Sequence, residues 1–357
     1  MKRIPLSDCR SLLCSQGRTV WTNDGTLYCN WSHSGIRFSF TGSSLSLRIK
    51  SIPAKENERI HHPWLGVVLD DGDTLEAQME LAHPDGIYSL FQSEKKETHT
   101  ITLIKLTENN VGKMELCAFL TDGEISAPPT QKAALRLEFI GDSITCGFGN
   151  MVNDANRAFF TQDENAWFSH AAIAARKLHA QVSLISCSGI ALTEGIGNVS
   201  FPQHPMGYYY PWRDRFLDDT LKNPEPAAWD FRSYVPDVIV LNLGTNDSSI
   251  IALNKEEDRG IELFKQDYLQ FLHMIREKNG PKPYIICALG SMDYFLYNDI
   301  QEAVKQFTTE HHDERIRCFK YHRIRPDEGI GACYHPYVTT QQRMGEEIAD
   351  YIRNLLG

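Results

Sequence analysis

The hydrophobic period of this chain changes once, at the adjacent prolines Pro128 and Pro129, and that change divides what its two parts can fold into. Upstream, over about residues 17–125, apolar residues recur at every second position. Ile36, Phe38 and Phe40 form one row, Leu45, Leu47 and Ile49 the next, then Leu65, Val67 and Leu69, and later Ile101 and Leu103. Alternation of this kind puts one face of an extended strand in a core and the other toward water. Thr41-Gly42-Ser43-Ser44 separates two of the rows and predicts a hairpin, while Asp71-Gly72 and Thr107-Glu108-Asn109-Asn110 predict further turns. Many short strands joined by turns make an antiparallel sandwich, here predicted over residues 1–127.

The segment 127–132 reads as a linker, because paired prolines suit neither a helix interior nor a central strand. Beyond it the period becomes that of helices alternating with fully apolar strands. Residues 167–179 carry apolar side chains at 167, 171, 174 and 178, and residues 261–279 carry them at 264, 268, 271 and 275 before Gly280. Apolar strands are predicted at 182–185, 238–243 and 284–288. The alternation implies a doubly wound, mainly parallel α/β sheet over residues 133–357.

Three strand ends in that second part carry chemistry. Phe139-Ile-Gly-Asp-Ser-Ile-Thr-Cys-Gly147 is a strand that breaks on Gly141 and presents Ser143 at the turn, a place suited to a nucleophile. Leu184-Ile-Ser-Cys-Ser-Gly-Ile190 ends in a small-residue turn at Gly189, and Val238 to Asp247 breaks at Gly244 and delivers Asn246. Near the end of the chain, Gly331-Ala-Cys-Tyr-His-Pro336 offers His335. Ligands of open α/β sheets bind beyond the carboxyl ends of the strands, so these residues should converge there. A serine, a glycine amide, an asparagine amide and a histidine together suit acyl transfer. Asp142 and Asp247 read as braces of their own turns, and Cys146 and Cys187 as small packing residues.

In their order and strand contexts, Gly141-Asp142-Ser143, Gly189, Gly244-Thr245-Asn246-Asp247 and His335-Pro336 resemble the blocks of the SGNH (GDSL) hydrolases. With Leu106-Thr-Glu108, Glu138 to Gly149 and Trp229-Asp-Phe231, the whole chain is similar to carbohydrate esterase family 2, whose members set a β-sandwich before the SGNH domain. The resemblance implies a flavodoxin-like SGNH sheet after a jelly-roll or sandwich domain. It implies Ser143 as nucleophile, His335 as general base, and an oxyanion hole from the Ser143 and Gly189 N–H groups and the Asn246 side chain. It calls for no cofactor or metal.

This chain departs from the family at the acid. Most SGNH enzymes carry aspartate three residues before the histidine, where Ala332 stands, and family 2 members usually carry it two residues before, where Cys333 stands. The preferred reading is a Ser143–His335 dyad whose Nδ1 is held by a backbone carbonyl, with Asp327 and Glu328 as upstream acids able to complete a triad instead.

The net charge of −10 argues against nucleic acid or an anionic membrane as partner, because both require concentrated positive charge. The expected partner is an acetylated oligosaccharide from xylan, mannan or a similar polymer, with a homo-oligomer left open. Competing readings are a general short-chain esterase or lysophospholipase, and a sugar-binding protein with an inactive esterase domain. No apolar stretch follows Lys2 and Arg3, no window reaches a spanning length, and nine cysteines show no paired spacing, which together predict a cytoplasmic enzyme without a leader. His61-His62 and His311-His312 are adjacent pairs, better suited to loops than to a metal. The aromatic insertion at 193–235, with Tyr208-Tyr-Tyr-Pro-Trp212, either lines a sugar cleft or packs the insertion onto the domain, with equal weight.

Overall fold

A computed structural model describes residues 1–53, 62–130, 135–194, 204–255 and 257–357. Two strands dominate the first part. Gly35–Pro53 spans 19 residues and Asp85–Lys105 spans 21, and they pair antiparallel along most of their length. Through them the antiparallel strands join into one continuous ten-stranded sheet. Their inward rows, including Ile36, Phe38, Phe40, Leu45, Leu47, Ile49, Ile101 and Leu103, enclose a single fully buried core. The two-residue period is therefore the buried face of the sheet.

The hairpin expected at Thr41-Gly42-Ser43-Ser44 does not form. The strand runs straight through these residues, and the register slips between Gly42 and Ser44. The cause is Asp122, between strands Gly112–Thr121 and Glu124–Ser126, which both pair with this strand: its Oδ1 accepts from the Ser43 and Ser44 N–H groups at 3.1 and 3.0 Å. A carboxylate thus satisfies the amides that a bulge removes from the ladder. Gly42 is needed there because a Cβ would meet the Gly123 Cα at 2.9 Å and the Phe40 ring at 2.5 Å.

The second part is a five-stranded parallel sheet in the order Gln181–Ser186, Arg136–Gly141, Val238–Asn242, Tyr284–Leu289, Ile316–Lys320. This is the 2-1-3-4-5 order of flavodoxin-like sheets, whose switch point lies between the first and third strands. Helices His170–Lys177 and Val338–Leu356 cover one face, and Glu257–Asn279 and Tyr297–His311 cover the other. The helix predicted from residue 167 begins instead at His170. Ser169 caps it by accepting from the Ala172 N–H, and a short 3-10 turn, Ala166–Phe168, occupies the preceding residues. No helix among the described residues is long and apolar enough to cross a membrane.

The described portion of the aromatic insertion packs. Tyr209 and Tyr210 are buried in the core of the parallel domain, and Tyr209 stacks on Phe216 at 4.0 Å. Trp212 pairs with Ala228, and its carbonyl accepts from the Arg18 guanidinium of the antiparallel part at 2.8 Å. Residues 195–203 of that insertion, together with linker residues 131–132 and His61, lie outside the described residues.

Candidate active site

Ser143 follows strand Arg136–Gly141 and opens the one-turn helix Ser143–Cys146. Gly141 makes this turn possible, because a Cβ there would meet Thr145 Oγ1 at 2.1 Å. Asp142 braces it by accepting from the Ile144 N–H at 2.9 Å, and Gly147 closes it at φ 84°. Burial raises the Asp142 carboxyl to about 7, with the Ile144 bond pulling the other way. As the first helical residue, Ser143 has a backbone N–H with no acceptor inside its own turn.

His335 arrives from residues 331–336, and its Nε2 lies 2.8 Å from Ser143 Oγ. Its Nδ1 lies 2.9 Å from the carbonyl oxygen of Cys333. The carbonyl can only accept, so Nδ1 carries the proton and Nε2 is free to accept from the serine hydroxyl. Cys333 and Tyr334 hold left-handed backbone conformations, at φ 51° and 62°, and this curl turns the Cys333 carbonyl back onto its own histidine. The loop is gripped from below: Cys333 N–H donates to the Arg157 carbonyl, Tyr334 N–H to that of Ala155, and Ala332 N–H to that of Gly149. A Cβ on Gly331 would meet Gly149 O at 2.4 Å, so the two segments touch through glycine.

Neither upstream acid reaches the ring. Glu328 is bonded by Arg343 at 2.8 and 2.9 Å, by Arg325 and by Thr340 at 3.1 Å, and these partners, Arg343 foremost, hold its carboxyl down at about 2. Asp327 is exposed and its nearest cation is Arg325 at 3.9 Å. The half-buried His335 ring packs on Phe148 at 4.5 Å, and Phe148 stacks on Phe159 at 4.0 Å. Desolvation in this setting pulls its pKa down to about 4, only partly offset by the bonds from Cys333 and Ala332.

The two remaining predicted residues meet beside one another. Gly189 sits at φ 78°, a left-handed position that suits glycine. Asn246, in the first turn of helix Thr245–Asn254, donates from Nδ2 to the Ile190 carbonyl at 2.9 Å. That bond uses one of its two amide protons and leaves the second for a ligand. Asp247 braces the same turn, accepting from the Leu192 and Thr193 N–H groups at 3.0 and 2.8 Å. In the sheet register Gly141 stands beside both Ser186 and Asn242, so these loops leave adjacent strand ends.

Two residues near the site escaped the sequence reading. Tyr334 is 59 % exposed beside His335, its hydroxyl donating to Asn156 Oδ1 at 2.8 Å. Adjacency to the histidine was the available signal. Glu108, read as part of a turn and of the string Leu106-Thr-Glu108 but given no role, is buried beneath the Gly189 turn. Glu108, Cys146 and Glu164 are the one group among the described residues whose potential ligand atoms cluster within 4.8 Å. Burial and the neighbouring carboxylates push the Cys146 thiol well above its usual range. His62 pairs with Glu80, and His312 ends its helix in a left-handed conformation.

Comparisons with known proteins identify the family. Residues 15–129 match the carbohydrate esterase 2 N-terminal family, and residues 139–336 match the GDSL-like lipase/acylhydrolase family. The cellulase/esterase CelE of Acetivibrio thermocellus is 30% identical over 349 residues, which is 96% of this chain but 39% of that longer protein. An acetylxylan esterase/glucomannan deacetylase of Cellvibrio japonicus is 24% identical, covering 78% of this chain and 72% of its own length. A family two carbohydrate esterase from Clostridium thermocellum, solved in complex with cellohexaose, superposes with a TM-score of 0.83 at 28% identity, covering 97% of this chain and 99% of that one. The chain therefore belongs to the GDSL-like lipase/acylhydrolase family of carboxylic ester hydrolases, in its carbohydrate esterase family 2 branch.

Proposed function

We propose that this chain removes O-acetyl groups from oligosaccharides derived from acetylated xylan, mannan or a similar hemicellulose, through an acetyl-enzyme on Ser143. The observation that carries this reading is the 2.8 Å contact between Ser143 Oγ and His335 Nε2, with Nδ1 held on the Cys333 carbonyl. Nε2 takes the hydroxyl proton as Oγ bonds to the acetyl carbon. The oxyanion is received by the Ser143 and Gly189 N–H groups and by the second amide proton of Asn246. His335 then returns its proton to the departing sugar oxygen, and water repeats the sequence on the acetyl-enzyme. A backbone carbonyl orients the ring as an acid would but carries no full charge to stabilise the imidazolium.

A carbohydrate substrate is supported by the relatives, among them esterases named for acetylxylan and glucomannan. The exposed Tyr334 ring beside His335 offers an apolar face against which a sugar can lie. A cytoplasmic site of action on imported fragments belongs to the same proposal, and nine unpaired cysteines are compatible with it. The test is proton NMR of a mixed acetylated oligosaccharide, followed with nitrophenyl esters. Loss of sugar acetyl signals that Ser143→Ala abolishes, with acetyl esters strongly preferred over octanoyl, is the expected result. Acetate release undiminished in Ser143→Ala, or a preference for octanoyl esters, would refute it.

A further inference from the structure

The buried contact between the antiparallel part and the Gly189 turn concerns that same proposed reaction. The loop 106–111 that follows strand Asp85–Lys105 carries Glu108, 1 % exposed, into the parallel domain. Its Oε2 accepts from the Ser188 backbone N–H at 2.6 Å. Ser188 immediately precedes Gly189. The same oxygen receives the Cys146 thiol at 3.7 Å, and Cys146 ends the single helical turn that Ser143 begins. One carboxylate oxygen therefore touches both the turn that carries the oxyanion amide and the turn that carries the nucleophile.

Glu108 is itself held in place at both of its main-chain polar groups. Its backbone N–H donates to Glu164 Oε1 at 3.0 Å, and its carbonyl accepts from the fully buried Lys105 ammonium at 2.5 Å. Lys105 also donates to the Thr107 carbonyl at 2.8 Å, fixing the curl of the loop. On the far side of the Gly189 turn, Asp247 and Asn246 bond residues 190, 192 and 193. The turn is thus pinned at both ends by carboxylates, and the upstream one comes from the other half of the chain.

We propose that Glu108 is a positioning residue for the oxyanion hole, so that the antiparallel domain completes the active site instead of serving only as a neighbour or a sugar-binding module. The inference rests on Ser143 acyl chemistry. A small error in where an amide points is enough to weaken a developing oxyanion, an effect felt in the transition state and not in ground-state binding.

The experiment uses the full chain with Glu108→Ala, Glu108→Asp and Glu108→Gln, assayed on nitrophenyl acetate after a cooperative melt has established folding. Alanine removes the acceptor, and aspartate, one methylene shorter, withdraws it from Ser188. Glutamine keeps an oxygen at the same reach. The expected result is a kcat lower by on the order of 10- to 100-fold in the alanine and aspartate variants with KM little changed, and a large recovery in the glutamine variant. Where alanine fails to fold, the aspartate and glutamine pair carries the comparison. A folded alanine or aspartate variant with kcat within about twofold of wild type, a loss confined to KM, or a glutamine variant as slow as aspartate would overturn the proposal. A wild-type chain that does not hydrolyse the ester, or a fully active Ser143→Ala, would instead remove the catalytic reading beneath it.

Discussion

At the scale of the residue, the site is governed by one tautomer. Nδ1 of His335 faces an oxygen that can only accept, which leaves Nε2 unprotonated toward Ser143. The group that does this is the Cys333 main chain, so its identity could not be read from residue types. Ala332 and Cys333 at the expected acid positions pointed away from a carboxylate, but two left-handed residues were needed to bring the carbonyl round. A pH prediction follows. His335 must be neutral to act as base, and desolvation lowers its pKa to about 4, below the ordinary histidine value near 6.5. Activity is therefore retained as pH falls through 6.5 and is lost only as the ring is protonated at lower pH. The acid limb of kcat/KM on nitrophenyl acetate should lie below pH 6. A limb centred at 6.5 or above would mean that an anion, not a carbonyl, faces the ring.

At the scale of the element, periodicity identified the classes of structure and missed where neighbours intervene. The row Ile36, Phe38, Phe40 and the row Leu45, Leu47, Ile49 were legible because burial follows the pleat. That they belong to one strand was not, because Asp122, about 80 positions away, supplies the bonds that turn a hairpin signal into a bulge. The helix at 170–177 was legible by its apolar spacing, while its start depended on Ser169 as a cap. Ser143, Gly189, Asn246 and His335 were legible because each sits at a glycine-marked break after an apolar strand or beside a proline. Glu108 was hidden because a loop acid is ordinarily solvated. Glu328 belongs to this scale too, since it ties the turn Pro326–Glu328 to helix Val338–Leu356 through Arg343. Glu328→Gln should cost about 1–3 kcal/mol of stability by thermal or denaturant melts yet leave kcat within about twofold. A collapse of kcat at unchanged stability would show that this acid does serve His335.

At the scale of the whole molecule, the two sheets are joined by polar groups that neither part could leave buried alone. Arg18 is fully buried, donates to the carbonyls of Tyr210 and Trp212 at 2.6 and 2.8 Å, and faces Glu138 at 3.6 Å and the rings of Tyr210, Trp229 and Phe231. Asn30 donates to Asp214 at 2.8 Å, and the Trp31 indole donates to the Arg213 carbonyl at 2.9 Å. The insertion that carries Tyr208, Tyr209 and Tyr210 is therefore a joint between domains as well as core. Replacing Arg18 with alanine leaves Glu138 and two carbonyls without their cation, and should cost about 3–5 kcal/mol. The chain should also melt in a single transition. Two separated transitions in the wild type, or an Arg18→Ala protein of unchanged stability, would show that the sheets fold independently.

The central claim is that Ser143 carries the acyl group. Nitrophenyl acetate has a leaving group good enough for acylation to outrun deacylation, so the intermediate can be caught by acid quench during turnover and located by peptide mass spectrometry. The account predicts one acetyl group, on Ser143, in the wild-type protein and none in Ser143→Ala. Rapid turnover with Ser143 unmodified, or an acetyl group on another residue, would contradict it.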